Sequence, residues 1–141
     1  MNPTQTGPPV ESYFEIVDGI PVIREKFVSR REVEAIVSRF KSDGLVMNQL
    51  QRFFRHCRTL QLQLRRNEKP WPEIKTSILL LPAHAVNATQ RPRDPIPPSF
   101  VDFITRNVEM IHTEDDFCKG FMKHFEAVVG YAPKYLGRSD R

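Results

Sequence analysis

The sequence predicts an all-α protein, a compact bundle of about five helices with a short extended or hairpin arm at its N-terminus. Three observations predict it. Apolar residues recur at i, i+3, i+4 and i+7 through most of residues 29–129, the spacing that gathers them on one face of a helix. Ser29, Ser99 and Thr113 each stand three residues before an acidic residue and directly ahead of such a stretch, the pattern of a helix-opening capping box. Near the N-terminus the pattern differs: Asp18-Gly19 separates two short apolar runs, a hairpin signal. At 141 residues one domain is the default and a real core can be buried. The chain is therefore divided into an arm at residues 1–28 and a bundle at residues 29–141.

The opening run Met1-Asn2-Pro3-Thr4-Gln5-Thr6-Gly7-Pro8-Pro9 has neither a basic region nor an apolar core, so it reads as a short flexible tail and not as a secretion signal. Residues 12–28 follow as a hairpin or extended arm, weakened by Pro21 because a proline cannot serve a central strand. The first helix opens at Ser29 with Glu32 completing the box, turns Val33, Ile36, Val37 and Phe40 to one side, and stops at Asp43-Gly44. The second runs from about Val46 to Arg66 without Pro or Gly. Its Leu50, Phe53, Phe54, Cys57, Leu60, Gln61 and Leu64 share a sector about 120° wide on the helical wheel. Pro70-Trp71-Pro72 reads as a break. Residues 73–91 form a third helix, with Ile74, Ile78, Leu81, Ala85 and Ala88 in one stripe and Leu79, Leu80 and Val86 widening the apolar surface. Pro82 lies inside it and should kink it or divide it in two. The proline-rich run from Arg91 to Pro98 is a stiff connector. A fourth helix opens at Ser99-Phe100-Val101-Asp102 and turns Phe100, Phe103, Ile104, Val108 and Ile111 inward. A fifth opens at Thr113-Glu114-Asp115-Asp116, continues through Phe117, Phe121, Phe125 and Val128-Val129, and is stopped by Gly130 and Pro133.

The net charge of +4 is small, but it is segregated. Residues 45–93 carry +7, residues 29–44 carry +1, and the segments 1–28 and 94–141 carry −2 each. On the second helix Arg52, Arg55, Arg58, Arg65 and Arg66 lie away from the apolar sector, and no acid shares their face to supply i,i+4 partners. Arginine forks match phosphate geometry, so this stripe, with Lys75, Arg91 and Arg93 adding to it, is the candidate nucleic-acid surface. A solubilising helix face is the plain alternative. A helix-turn-helix reading of residues 29–66 fits poorly, because the basic face extends along the whole second helix and a recognition helix concentrates its contacts near the N-terminus.

Other functions find little support. No phosphate-binding glycine loop, no H-E-x-x-H and no calcium-loop motif is present. Cys57 and Cys118 stand far apart and read as reduced core thiols, as in a cytoplasmic protein. His56, His84, His112 and His124 are scattered; a ribonuclease working through His56 or His124 is the enzymatic alternative. Glu114-Asp115-Asp116 resembles a metal cluster but stands at a helix start, where capping and the macrodipole account for acids. No cofactor, metal or catalytic residue is expected. No apolar run is long enough to span a membrane.

Three segments carry a specific resemblance. Phe121-Met122-Lys123-His124-Phe125-Glu126-Ala127-Val128-Val129-Gly130-Tyr131, followed by Lys134-Tyr135-Leu136-Gly137 and Asp140, resembles the C-terminal signature of the small subunit of the type III-A CRISPR (Csm) effector complex. Asn48-Gln49-Leu50-Gln51-Arg52-Phe53-Phe54 is similar to that family's first long-helix motif. Leu80-Leu81-Pro82-Ala83-His84-Ala85 through Arg91 resembles its middle helix, which closes on a basic residue. Together they cover about residues 45–141. Three departures are visible: Gln51 stands where a basic residue is frequent, Pro133 replaces a polar residue, and Gly137 is single where many relatives have two.

The resemblance implies an all-helical, non-catalytic subunit. It implies crRNA and target RNA as partners through backbone contacts, the backbone and large subunits of the complex as protein partners, further copies of itself stacked in a short filament, and a role in antiviral defence. Carried onto this chain, it implies RNA contact by Arg52, Arg55, Arg58 and Arg91, with Arg65, Arg66 and Lys75 as secondary contacts. A small sequence-independent nucleic-acid-binding protein and a DNA-binding regulator are the remaining alternatives.

Overall fold

A computed structural model describes residues 12–137. The tail read at residues 1–9 and Asp140 of the C-terminal signature lie outside the described residues. The arm is an antiparallel hairpin, β1 (Phe14–Val17) and β2 (Ile20–Ile23), with Val17 opposite Ile20. Asp18 and Gly19 connect the strands with φ of 52° and 78°, the paired positive values that match the twist of a tight hairpin. Pro21 is accommodated because both strands of a two-stranded sheet are edges.

A 3₁₀ turn at Glu25–Phe27 leads into six α-helices among the described residues: α1 (Arg30–Ser42), α2 (Met47–Arg65), α3 (Trp71–Leu79), α4 (Leu81–Ala88), α5 (Pro98–Met110) and α6 (Met122–Tyr131). The third predicted helix is thus divided into α3 and α4, with Pro82 in the first turn of α4. Its start also differs from the sequence expectation. Pro70 caps α3 and Pro72 lies in its first turn, where a missing amide costs nothing.

Two helix ends show why local sequence is a good guide. At the end of α1 the Gly44 amide donates to Lys41 O and the Leu45 amide to Phe40 O, with Gly44 at φ 92°. At the end of α2 Asn67, φ 56°, and Glu68 make the same pair of bonds to Leu64 O and Gln63 O. Both are Schellman closures that satisfy carbonyls the helix would otherwise leave open.

The capping boxes divide three ways. Thr113 Oγ1 accepts from the Asp116 amide at 3.1 Å, and the Asp116 carboxylate accepts from the Thr113 and His112 amides at 3.1 and 2.8 Å. Ser29 occupies the N-cap of α1 without a side-chain cap bond. Ser99 is not a cap at all: α5 begins at Pro98 with Pro97 as its N-cap, so Ser99 falls inside the first turn with its Oγ buried and unbonded. The fixed φ of Pro98 suits the first helical position, and it starts the helix before the serine.

The core is aromatic. Phe40, Phe53, Phe100, Phe103 and Phe125 contact one another with ring centroids 5.1–5.9 Å apart, edge-on in most pairs as ring quadrupoles prefer. Each residue of the predicted stripes on α2, α4 and α5 is buried, except half-buried Phe54. Leu79, Leu80 and Val86 do not join them: they are exposed. The last predicted helix is interrupted, since Asp116–Phe121 forms a π-helical turn before α6, and α6 continues through Gly130 into a 3₁₀ turn at Ala132–Lys134.

Tyr13 ties the hairpin to the bundle. It is fully buried, donates to Asn107 Oδ1 at 2.7 Å, and its ring lies over Gly120. Beside it, buried His124 donates from Nδ1 to Phe27 O at 2.6 Å, since a carbonyl can only accept. Burial holds this imidazole below its ordinary value of 6.5, with the Lys26 charge adding to the effect and the bond to Phe27 opposing it. A histidine with a lowered native value binds fewer protons folded than unfolded, so its contribution to stability is complete above 6.5 and is lost as pH falls below it. The melting temperature is therefore expected to fall between pH 7.5 and 5.5. His124→Gln is expected to flatten that slope, leaving the part due to His56, whose value is also lowered. An unchanged slope in the variant would refute the assignment.

Candidate nucleic-acid interface

Three surface grooves differ in the charges that line them. The groove between α1 and α5, about 440 Å³, mixes Arg39 and Arg106 with Glu32 and Asp102. A second, about 600 Å³, carries Asp43 and Asp102 among prolines. The third, about 320 Å³, lies between α2 and the α4 segment and is lined by Arg52, Phe53, His56, His84, Asn87 and Arg91. It has no acid, and it is the groove suited to a polyanion.

The sequence explains how these residues meet. Arg52 and His56 stand one turn apart on α2, so they share a face. His84 and Asn87 stand three apart on α4, and Arg91 follows it, its amide bonded to Ala88 O. Arg91 is half-buried and donates to Gln49 Oε1 at 3.2 Å, while Gln49 Nε2 donates to Asp94 O at 2.6 Å. The buried Gln49 thus fixes the direction of the Arg91 guanidinium. The His56 and His84 rings stand edge to face with centroids 6.0 Å apart. Partial desolvation, and then the neighbouring His84, hold the solvent-accessible His56 below the usual imidazole value.

Of the residues singled out from the sequence, Arg52 and Arg91 are brought together in this groove. Arg55 and Arg58 are exposed on the outer side of α2, Arg58 with its guanidinium carbon 5.9 Å from the Phe54 ring centre. Arg65 and Arg66 are exposed at the far end of α2, about 20 Å from Arg52 at 1.5 Å per residue. Lys75 is half-buried on α3, its Nζ 5.9 Å from the Trp71 ring centre. Arg93 is exposed in the connector. Among the described residues none of Arg52, Arg55, Arg58, Arg65 or Arg66 pairs with a carboxylate; the ion pairs seen are Arg24–Glu15, Arg30–Glu34, Lys119–Asp115 and Lys134–Glu34.

Sequence reasoning missed the histidine pair and the role of Gln49. The i,i+4 spacing of Arg52 and His56 was available, but their meeting with His84 depends on how the helices pack. The C-terminal signature has a structural role here. Phe125 and Val128 are buried in the core, and Tyr135 donates to Glu34 Oε1 at 2.6 Å. That hydrogen bond, with Arg30 and Lys134 nearby, holds the Glu34 carboxyl below its usual range against the opposing effect of burial. Gly137 O accepts from the Met47 amide at 2.9 Å and closes the first turn of α2.

Among the described residues no three His, Cys, Asp or Glu side chains are grouped to hold a metal ion, and no helix is long and apolar enough to cross a membrane. Both cysteines are free; burial pushes the Cys57 thiol up to about 12.

The family model described as Csm2 Type III-A matches residues 25–138, a span that includes the α2–α4 groove and the closing C-terminal segment. Comparison with curated proteins and with solved structures finds no match.

Proposed function

Because the chain belongs to the Csm2 Type III-A family and is thus a small subunit of a type III-A CRISPR complex, we propose that it acts there as a non-catalytic RNA-binding element. In this reading several copies stack along the crRNA–target RNA in antiviral defence, each turning the outer face of α2 and the α2–α4 groove toward the phosphates. Arg52 and Arg91 are the central contacts, Arg55 and Arg58 extend them, and Arg65, Arg66 and Lys75 contribute at the periphery. The observation that carries the reading is the acid-free groove in which Gln49 aims Arg91 alongside Arg52. Such contacts position a nucleic acid without reading its sequence.

The competing readings meet specific obstacles. A recognition helix presents its N-terminal turn to the major groove, whereas Met47, Gln49 and Leu50 are buried. A ribonuclease working through His124 has to reach RNA with a side chain that is 3% exposed and bonded to Phe27 O.

Fluorescence anisotropy of the full chain with unrelated single-stranded RNAs tests the proposal. Affinities should agree within about threefold across sequences, and log K should fall with log salt at a slope of about −3, as expected for four phosphates on a single strand. Binding that varies strongly with sequence, or that ignores salt, would refute it.

A further inference from the structure

The α2–α4 groove is more than a phosphate track. We propose that it seats one nucleobase of a single-stranded RNA in the corner formed by the His56 and His84 rings, while Arg52 and Arg91 hold the flanking phosphates. This deepens the RNA-binding reading above and rests on it.

Four observations carry the inference. At about 320 Å³ the groove falls at the low end of the range for ligand sites, about 300–1,000 Å³. A surface that only followed phosphates would need no concavity. Aromatic rings line it: Phe53, and two imidazoles whose planes stand at 88° with centroids 6.0 Å apart. A base entering there stacks on one imidazole and meets the other edge-on, a mode of single-strand recognition open to histidine as to other aromatic side chains. Asn87 lines the same groove, and its amide can both donate to and accept from a base edge. Finally, the charges select the ligand. Two imidazoles alone would also suit a transition metal, but the guanidiniums of Arg52 and Arg91 beside them repel a cation and attract an anion. A nucleotide supplies both the anion and the ring.

His56 and His84 are both exposed and outside the core, so their replacement leaves the fold in place. The test compares a labelled 12-nucleotide single-stranded RNA with a 12-mer of the same backbone in which alternate residues are abasic, at one salt concentration and pH 7.5, using the full chain. The abasic strand is expected to bind about fivefold or more weakly, in line with the effect of losing one aromatic–base stack. His56→Ala/His84→Ala should bring the intact RNA down to the level of the abasic one while leaving the salt slope unchanged, because the arginines remain. Equal binding of the two strands by the unaltered chain, with a normal salt slope, would overturn the base pocket and leave the phosphate contacts standing. Discrimination that survives in the double variant would also overturn it. Failure of both strands to bind at low salt would overturn this inference together with the reading beneath it.

Discussion

Gly120→Ala is expected to destabilise the protein by about 3 kcal/mol or more, the upper part of the range for overpacking a core. A Cβ at this position would stand 2.6 Å from Tyr13 Cγ and 2.8 Å from Tyr13 Cβ and Cδ2. Tyr13 cannot move aside cheaply. Its ring is fully buried, packs 5.0 Å from Phe27 centroid to centroid, and its hydroxyl is bonded to Asn107. The change also adds a better helix former, but that gain is at most about 1 kcal/mol and does not offset the clash. Gly130→Ala supplies the contrast: it lies in α6, where an added Cβ meets nothing within 4 Å, and it should stabilise by up to about 1 kcal/mol. In thermal unfolding the two variants should move in opposite directions, Gly120→Ala by about 10 °C downward at this chain length. Equal melting temperatures would mean that Tyr13 does not occupy the position described.

Reversing the basic face should have the largest effect on binding. Arg52→Glu combined with Arg91→Gln removes two charge-assisted contacts, each of about 1.5–3 kcal/mol. RNA affinity should fall about 100-fold or more, at 1.4 kcal/mol per tenfold. The circular dichroism of the variant should stay helical, since Arg52 is exposed and Arg91 is outside the core. Adding Arg55→Glu and Arg58→Glu should lower affinity further and flatten the salt dependence by about 0.7 of a unit of slope per lost phosphate contact. Arg31→Glu, an exposed change on α1, is the control and should alter affinity by less than about threefold, because separated surface charges are screened at physiological salt. Gln49→Leu separates aiming from charge: it should weaken binding when Arg91 is present and have no further effect in Arg91→Gln. Independent, additive losses would show that Gln49 does not act through Arg91.

How much of the fold and of the groove is legible in the sequence depends on how local the cause is. The burial stripes of α2, α4 and α5 follow from helical period alone, and the closures at Gly44 and the Thr113 box follow from residues a few positions apart. Ser99 carries the same local signal as Thr113, yet Pro97-Pro98 starts the helix ahead of it, so the stronger backbone constraint wins. Leu79, Leu80 and Val86 widen the apolar surface of the helix in sequence and lie exposed, because apolar residues are common on surfaces and hydrophobicity alone does not bury them. Charge segregation points to residues 45–93 as the basic element of the chain. It does not say which arginines converge. Arg52 and Arg91 come to line one groove across 39 positions, Arg91 held there by a buried Gln49, and His56 meets His84 only once α4 lies beside α2. These are consequences of packing, not of spacing.

Photocrosslinking in the assembled complex tests the central claim most directly. A type III-A complex containing this chain, loaded with a guide and a target RNA carrying 4-thiouridine, would be irradiated and its crosslinked peptides mapped. Crosslinks within residues 47–66 and 84–93 are the predicted result, with those at 52–56 and 84–91 the strongest. Crosslinks confined to α1, α6 or the β1–β2 hairpin would contradict the account, because the RNA would then lie on the face where Arg30 and Lys134 are already engaged by Glu34.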